Sequence, residues 1–482
     1  MSGADGNAAA PQPPAKRPRI DNGDGRPDEW VASANDALRF HLLDDFPPRS
    51  AGTELDHGRG EVFSPEYTHQ VFGEEEEIHG YMGLRVDVWL SARTFFAMAS
   101  VAFERRRPQS EDVMGKMGAA WGAGLTSGRE EFERAVGGEP VADFMAEGRV
   151  VGRRPQPEGE TVVVCARLST ASDALKALHA RMEPLLLYFV DGASSIDNGD
   201  PKWDIYLALQ QQGDTTRVVG FSTVYNFYVF PDSVRKRLAQ ILVLPPYQNN
   251  GVGTLLVEAV YSGAKEENAM DVTLEDPTDE VKHIRDKLAL KSMLECTWLR
   301  PLVSQYTLAA TSGDEPNGAS LEENTQNDMA TAPSASNSTA TCRSKRNRLA
   351  IPGQAGRRLQ RELKIPSCQI ACLWESILYL AAVADGKDVA PIESLVKHRL
   401  QTMMNVKAET EKLIFGDKTP DGGEADGFIL LKCRNVPQQF IAGSMTASEF
   451  ASTEQKEVLL ANAVKERMQE IDDLVSNILE SA

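Results

Sequence analysis

The feature that most constrains the fold is an almost wholly apolar segment that stops at a proline pair. Arg237–Leu244 reads RLAQILVL, and a continuous apolar run of this kind is typical of a central strand covered on both faces. Pro245 and Pro246 end the strand, because proline has no N–H to donate to a neighbouring strand. A helix is predicted next, from Gly251 to about Glu267. Strand, loop and helix in this order predict an α/β unit built on a covered sheet.

The loop between this strand and helix combines asparagines with two glycines. Glycine lets the backbone approach an anion closely, and the free N–H groups and dipole at a helix start favour phosphate oxygens. Leu256 stands where a dinucleotide fingerprint has its third glycine, and no Gly-Lys-Ser/Thr sequence follows. The loop resembles instead the Q-x-x-G-x-G pyrophosphate turn of acyl-CoA N-acetyltransferases; a plain glycine-rich turn is the alternative. Its residues are Gln248, Asn249, Asn250, Gly251, Val252, Gly253 and Thr254.

Two carboxylates and a proline follow the next predicted strand, as Glu275-Asp276-Pro277. If a lysine accepts the acyl group, its amine has a pKa near ~10.4 and must lose a proton before the nitrogen can attack. Glu275 is the candidate base that takes this proton, directly or through water. Asp276, before a proline at a helix start, is predicted to act mainly as an N-cap. Asp191, after the apolar run Leu185–Val190, is a candidate second carboxylate.

The route of acyl transfer is predicted from what the sequence does not contain. No Ser/His/Asp order or activated cysteine stands out, so direct attack in a ternary complex is predicted instead of a covalent acyl-enzyme. The thioester oxygen then needs a hydrogen-bond donor. Backbone N–H groups of Ile241, Leu242 and Val243 are candidates if their strand diverges from its neighbour.

Charge and composition limit the class of partner. The chain has 51 Lys and Arg against 70 Asp and Glu, a net charge of −19, which argues against nucleic-acid binding and permits a basic partner. No apolar run reaches the ~18–20 residues of a membrane-spanning helix, so no membrane is predicted. Six scattered cysteines predict a reducing, intracellular setting. For Cys368 and Cys372, core packing is favoured over a metal site, and no metal is predicted.

Composition also divides the chain. The predicted segments are a disordered tail (1–28), an N-terminal α/β domain (29–150), an acetyltransferase core (151–305), a flexible insertion (306–352) and a helical domain (353–482). Ser, Thr, Asn and Ala dominate the insertion at Ala309–Thr341. In the tail, Lys16–Arg19 is either a nuclear localisation signal or a solvated charged stretch.

Hydrophobic patterns predict the elements within these segments. Helices are predicted over Val31–Phe46, Ser172–Met182, Thr278–Met293, Cys368–Val383 and Val458–Ile478. Strands are predicted over Thr161–Leu168, Tyr206–Gln210, Val218–Phe230 and Asp271–Leu274, with Tyr81–Phe103 a strand passing into a helix or strand. The acidic run Glu74–Glu77 is, by sequence alone, a solvated loop.

Several segments together resemble the catalytic subunit of type B histone acetyltransferases, a family of the GNAT superfamily. The resemblance is to the plant-like members of this family. The segments are Phe72–Leu84, Tyr188–Asp197, Trp203-Asp204, Val224–Asp232, Gln240–Gly253, Thr273–Pro277 and Ile284-Arg285-Asp286. The match runs from about Trp30 to Leu290. It implies an α/β fold: a GNAT core with an N-terminal α/β domain and a C-terminal helical domain.

The resemblance also implies roles for residues of this chain. Ile241–Val243 and Gln248–Thr254 would bind acetyl-CoA, Glu275 would be the general base, and Asp191 and Asp276 would assist it. Asp191 is shorter than the glutamate usual at that place. The implied tail-binding residues are Glu74, Glu75, Glu76, Trp203, Tyr225, Asn226 and Phe227.

The implied substrate is the N-terminal tail of free, newly synthesised histone four. The implied partner is a WD-repeat histone chaperone of the retinoblastoma-binding type, and the implied location is nucleus and cytoplasm. Two alternatives stay open: an acetyltransferase of the same fold acting on another amine, and a non-enzymatic acidic histone-binding protein.

Overall fold

The computed structural model describes residues 19–20, 27–43, 61–138, 144–157, 159–213, 215–312, 348–415 and 453–480. The chain divides into two compact units. The first comprises Met1–Phe227 and Arg237–Gly263, and the second comprises Tyr228–Lys236 and Ala264–Ala482.

The N-terminal part of the first unit is built on a five-stranded sheet in the order β10-β8-β7-β3-β4. Its strands and the short strands around it are β1 (Arg19–Ile20), β2 (Val31–Ser33), β3 (Leu38–Leu43), β4 (Glu61–Phe63), β5 (Glu77–His79), β6 (Tyr81–Met82), β7 (Arg85–Ser91), β8 (Ala97–Ala102), β9 (Arg105–Arg106) and β10 (Leu125–Thr126). The helices are α1 (Ala34–Ala37), α2 (His69–Phe72), α3 (Val113–Trp121), α4 (Arg129–Gly138) and α5 (Phe144–Glu147). β3 runs parallel to β7, with Phe40 beside Val88.

The helix predicted over Val31–Phe46 is wrong where the structure describes it. Residues 31–43 form β2, a single turn α1 and β3. Phe40, His41 and Leu42 are all buried, so β3 is covered on both faces. A short strand of that kind has no alternation, and spacing alone does not separate it from a buried helix. Farther upstream, Arg19–Ile20 pairs with Arg105–Arg106, inside the segment predicted to be disordered.

A second sheet follows in the first unit, with the order β11-β12-β13-β14-β15. Its elements are β11 (Arg149–Gln156), β12 (Gly159–Arg167), α6 (Asp173–Met182), α7 (Leu186–Phe189), β13 (Trp203–Gln212), β14 (Thr215–Val229), β15 (Ser233–Val243) and α8 (Val252–Glu266). β11 to β14 are antiparallel. The strands and helices predicted here from periodicity are confirmed within a few residues. Along β15, buried and partly buried residues alternate, so the prediction that this strand is covered on both faces is wrong: one face is buried and the other is only partly buried.

Both sheets of the first unit pack into one hydrophobic core. Aromatic rings join them: the centroids of Phe40 and Tyr188 lie 5.3 Å apart, and those of Trp121 and Tyr188 lie 5.4 Å apart. Edge and offset ring contacts of this kind add to the stabilisation that area burial supplies. The segment after α7, which carries Asp191, is therefore anchored by a rigid aromatic core.

The second unit contains β16 (Val272–Leu274) and mostly helices beyond it. The helices are α9 (Asp279–Glu295), α10 (Leu299–Ser312), α11 (Gly353–Leu363), α12 (Ser367–Ala384), α13 (Ala390–Phe415) and α14 (Thr453–Leu479). The predicted N-cap role of Asp276 is wrong, because Thr278 caps α9 through the N–H of Val281 at 3.5 Å. α10 extends to Ser312, past the predicted start of the insertion, and 313–347 lie outside the described residues.

Helix α12 corrects the expectation that no apolar run is long enough to cross a membrane. Its 18 residues have a mean hydropathy of 1.4, and half of that window is buried. Core helices pass the same test of length and composition. Glu375 on α12 is only 1% exposed and accepts a hydrogen bond from Nε of Arg399 at 2.6 Å. The two residues form a buried ion pair between α12 and α13.

Candidate functional site

The turn after β15 has the backbone that its asparagines and glycines predict. Asn249 and Gly251 both adopt positive φ, +60° and +77°, a region that glycine enters without cost and asparagine tolerates. The N–H of Leu255 donates to the Gly251 carbonyl at 3.0 Å, so helix α8 starts at this turn. The side chain of Gln248 donates to the carbonyl of Val243 at 3.1 Å and ties the turn to the end of β15.

Arg154 holds this turn in place through bonds to the turn and to helix α8. Nη1 of Arg154, on β11, donates to the Gly251 carbonyl at 2.6 Å, and its Nη2 lies 3.0 Å from Glu258 on α8. Val252, Gly253 and Thr254 form the first turn of α8, where N–H groups have no partner within the helix and can bind an anion. The arrangement has the chemistry of a pyrophosphate cradle, and binding of the acetyl-CoA pyrophosphate there stays a prediction. Arg154 was not predicted, because its contact spans 97 residues of chain.

A side chain at Gly251 would have to displace the guanidinium of Arg154. A Cβ built there would lie 2.2 Å from Nη1 of Arg154, and the positive φ would strain any L-residue by about 1–2 kcal/mol.

Replacing Gly251 by alanine should therefore weaken acetyl-CoA binding by about tenfold or more, since 1.4 kcal/mol is a factor of ten. Calorimetric titration with acetyl-CoA measures this. Gly118→Ala, in α3 where a new Cβ meets nothing within 4 Å, is the matched control. Equal affinities in both variants would show that the turn does not hold the donor.

Asp191 and the acidic run meet at His69, at the start of α2. Nε2 of His69 lies 3.3 Å from Oδ1 of Asp191, and its Nδ1 lies 3.8 Å from Oε1 of Glu76. The side chain of Asp191 is 71% exposed, so it stays open to a ligand. The structure thus brings together a predicted catalytic carboxylate and a predicted tail-binding segment. His69 was not predicted, since no spacing marks a contact between such distant segments.

Within the acidic run, Glu76 differs from its neighbours. Its Oε1 accepts from the N–H groups of Thr68 (2.6 Å) and His69 (3.1 Å), and its Oε2 accepts from Asn35 (2.7 Å). Its carboxylate therefore closes the N-terminal end of α2. Glu74, Glu75 and Glu77 are exposed, and of these Glu77 lies 3.7 Å from Nε2 of His79.

These bonds lower the pKa of the Glu76 carboxyl, chiefly through the Thr68 N–H, which outweighs the opposing effect of burial. A folded-state pKa below the unfolded one stabilises the fold above the unfolded pKa, and the stabilisation is lost as pH falls through the folded pKa. The melting temperature of the wild type should thus fall more steeply below about pH 4.3 than that of Glu76→Gln. Glu75→Gln, at an exposed neighbour, should follow the wild-type curve. Parallel curves for all three proteins would contradict this account.

Polar side chains hold the segment that follows Asp191. Nε2 of Gln240, on β15, donates to the Ser194 carbonyl at 2.7 Å, and Nε2 of Gln70 donates to the Ala193 carbonyl at 2.7 Å. The N–H of Ile196 donates to Glu183 at 2.7 Å, and burial raises the pKa of that carboxyl. A glutamine inside an otherwise apolar strand was the sequence signal that could have identified this support.

A row of three aromatic rings lies at the paired ends of β13 and β14. Trp203 is opposite Tyr225 in the register, with ring centroids 4.8 Å apart, and Tyr225 and Phe227 are 4.6 Å apart. Lys202 and Arg237 place cations 5.6 and 4.5 Å from the centroids of Tyr225 and Phe227. The row shows that this surface accommodates cationic side chains against its rings.

Asn226 lies on the opposite face of β14 from Tyr225 and Phe227. It is only 7% exposed, and its amide donates to Asp204 and to the Lys202 carbonyl, both at 2.8 Å. Its side chain therefore fixes the aromatic row in place, and a direct contact with a peptide side chain stays a prediction.

The predicted base lies in the second unit. Glu275 and Asp276 follow β16, and both are exposed. Asp276 has a φ of +33°, so it forms part of the turn between β16 and α9. Within the described part of the chain, no group of three or more His, Cys, Asp or Glu could hold a metal ion.

Comparisons with known proteins place these features in a family. A family model described as "Histone acetyl transferase HAT1 N-terminus" matches residues 30–191, and one described as "Acetyltransferase (GNAT) family" matches residues 187–282. The histone acetyltransferase type B catalytic subunit of Arabidopsis thaliana is 24% identical over 97% of this chain and 96% of its own length. The chain is similar to type B histone acetyltransferase catalytic subunits over nearly its whole length.

Two further type B catalytic subunits align with this chain over a shorter length. The type B catalytic subunit of Zea mays is 32% identical and that of Homo sapiens 30% identical, over 52% and 48% of this chain and 56% and 58% of their own lengths. The fold class predicted from the sequence, a GNAT core with an N-terminal α/β domain and a C-terminal helical region, is confirmed. The chain is an acyltransferase of the GNAT class, and its relatives support histone acetylation as its activity.

Proposed function

We propose that this chain transfers the acetyl group of acetyl-CoA to lysines in the N-terminal tail of free histone four. The observation that carries the proposal is the row Trp203, Tyr225 and Phe227, which belongs to the same unit as the exposed Glu74, Glu75 and Asp191. Aromatic faces and carboxylates together attract a flexible, lysine-rich peptide. The donor is assigned from the turn at Gly251, since GNAT acetyltransferases use acetyl-CoA.

The proposed reaction is a direct attack within a ternary complex. The neutral lysine nitrogen attacks the thioester carbonyl carbon, the carbon–sulfur bond breaks, and the second proton of the nitrogen passes to the departing sulfur, so that coenzyme A leaves as the thiol. Glu275 accepts the proton that the ammonium must lose, and Asp191 and Asp276 assist by favouring the cationic acceptor near the site. Ile241, Leu242 and Val243 supply backbone N–H groups to the developing oxyanion, and the N–H groups of Val252–Thr254 hold the pyrophosphate.

Two other functions make different predictions. An acetyltransferase for another amine would leave a histone-tail peptide unmodified while it acetylated a protein N-terminus or a small amine. A non-enzymatic histone-binding protein would bind the peptide but not acetyl-CoA. The turn at Gly251, with its free N–H groups and its Arg154 support, favours a donor-binding enzyme over this last alternative.

A partner and a location form part of the proposal. Resemblance to the family supports a WD-repeat histone chaperone of the retinoblastoma-binding type as partner, with the enzyme shared between nucleus and cytoplasm. The sequence Lys16–Arg19 supports nuclear entry by its charge alone; Lys16–Pro18 lie outside the described residues.

Replacing Glu275 by glutamine keeps the size of the side chain and removes its ability to accept a proton. Turnover of a histone-tail peptide near neutral pH should fall by about 10²–10⁴-fold, with acetyl-CoA affinity unchanged. Glu280→Gln, at an exposed position in the first turn of the following helix, should behave as wild type. Wild-type turnover in Glu275→Gln would exclude this residue as the base.

Reversing the charge of the exposed Glu74 and Glu75 together should weaken binding of the tail peptide and leave both acetyl-CoA affinity and the melting temperature unchanged. Glu76→Lys should differ by lowering the melting temperature, because it removes the acceptor at the start of α2. Fluorescence anisotropy of a labelled peptide and thermal unfolding measure these effects. Unchanged peptide affinity in the double variant would show that Glu74 and Glu75 belong to a solvated loop that does not bind the tail.

A further inference from the structure

Strand β16, which leads into Glu275, is only three residues long and depends on bonds to other segments. On one edge, the N–H of Lys236 donates to the Asp271 carbonyl at 3.0 Å, and the N–H of Met270 donates to the Val234 carbonyl at 2.7 Å. These bonds fix the residues that enter the strand. Glu275 follows Asp271 by only four residues, so these bonds also restrict the position of Glu275.

The other edge of β16 is bonded by the C-terminal region. The N–H of Val272 donates to the carbonyl of Lys364 at 2.8 Å, so the residue that ends helix α11 provides an acceptor to the strand. Lys364 has a left-handed φ of +61°, which is unusual for a lysine. Its Nζ donates to Asn268 at 2.9 Å, so backbone and side chain both fasten this residue to the segment before β16.

A buried carboxylate completes the connection. Asp271 is fully buried, and such a charge is tolerated only when hydrogen bonds satisfy it. Arg235 donates to both of its oxygens, at 2.5 and 2.8 Å, and Nε2 of Gln360, on α11, donates to Oδ2 at 2.8 Å. Loss of the Gln360 donor leaves part of that charge unsatisfied and removes a restraint on the strand.

We infer that Gln360 and Lys364 are positioning residues for the general base: the C-terminal region holds β16 from its outer edge so that Glu275 stands in its reactive place. The inference rests on the function proposed above. It gives the helical region a role in acetyl transfer, because a displacement of a catalytic group by about 1 Å reduces turnover by up to ~10²-fold.

Gln360→Ala tests the inference in the full-length chain, with steady-state kinetics on a histone-tail peptide. Turnover (kcat) should fall by about tenfold, within the range that such a displacement allows. The KM for acetyl-CoA should not change, since the turn at Gly251 belongs to the first unit. Gln354→Ala, an exposed glutamine on the same helix, is the matched control and should retain wild-type kinetics.

A second variant separates the hydrogen bond to Asp271 from general packing. Gln360→Lys keeps a long side chain with a donor and should recover most of the lost turnover. Unchanged turnover in Gln360→Ala, or an equal loss in Gln360→Lys, would overturn the inference while an active wild type left the proposed function in place. A wild type that binds acetyl-CoA but leaves the peptide unmodified would refute the proposed function itself, and the inference with it.

Discussion

The contact between Arg154 and the turn at Gly251 is the constraint on which the donor side depends. The guanidinium lies where a side chain at position 251 would have to go, and it bonds both the turn and helix α8. The first N–H groups of α8 have no partner within the helix. The conformation of the turn at Gly251 fixes where these groups lie. Helix α8 packs closely on the sheet where glycines leave room. Gly152, on β11, lies next to Leu255 of α8, and Gly263, on α8, lies next to the hydroxyl of Tyr206 on β13.

On the acceptor side, the important contacts join segments far apart in the chain. His69 touches Asp191, and Gln70 and Gln240 hold the residues after it. The N-terminal region therefore does more than add surface, since it fixes the loop that carries a predicted catalytic carboxylate. In the acidic run, Glu76 bonds the start of α2, while Glu74, Glu75 and Glu77 are exposed.

Much of the fold could be predicted from the sequence, because α8 and β15 have strong local signals. The apolar run, the proline pair and the glycine turn specify strand, stop and helix without reference to the rest of the chain. Prediction failed for β3, where burial on both faces hides the alternation, and for Asp276, because Thr278 was an equally good cap nearer to the helix. The end of α10 was also missed, since its last residues have the small polar composition of a linker.

Site prediction had the same limit. The turn at Gly251 and the proposed base Glu275 follow local motifs, so the sequence could single them out as candidates. Arg154, His69 and Gln360 could not be named, because each acts through a contact that only the folded chain creates. Asn226 shows the opposite case: it lies between two partly buried aromatic residues in sequence, yet strand alternation turns it inward to Asp204.

The central claim is that acetyl-CoA and a histone-tail lysine occupy the enzyme together. Initial-velocity kinetics, with acetyl-CoA varied at several fixed concentrations of a histone four tail peptide, test it directly. The account predicts double-reciprocal lines that intersect. Parallel lines, the signature of a covalent acetyl-enzyme, or the absence of peptide acetylation, would contradict it.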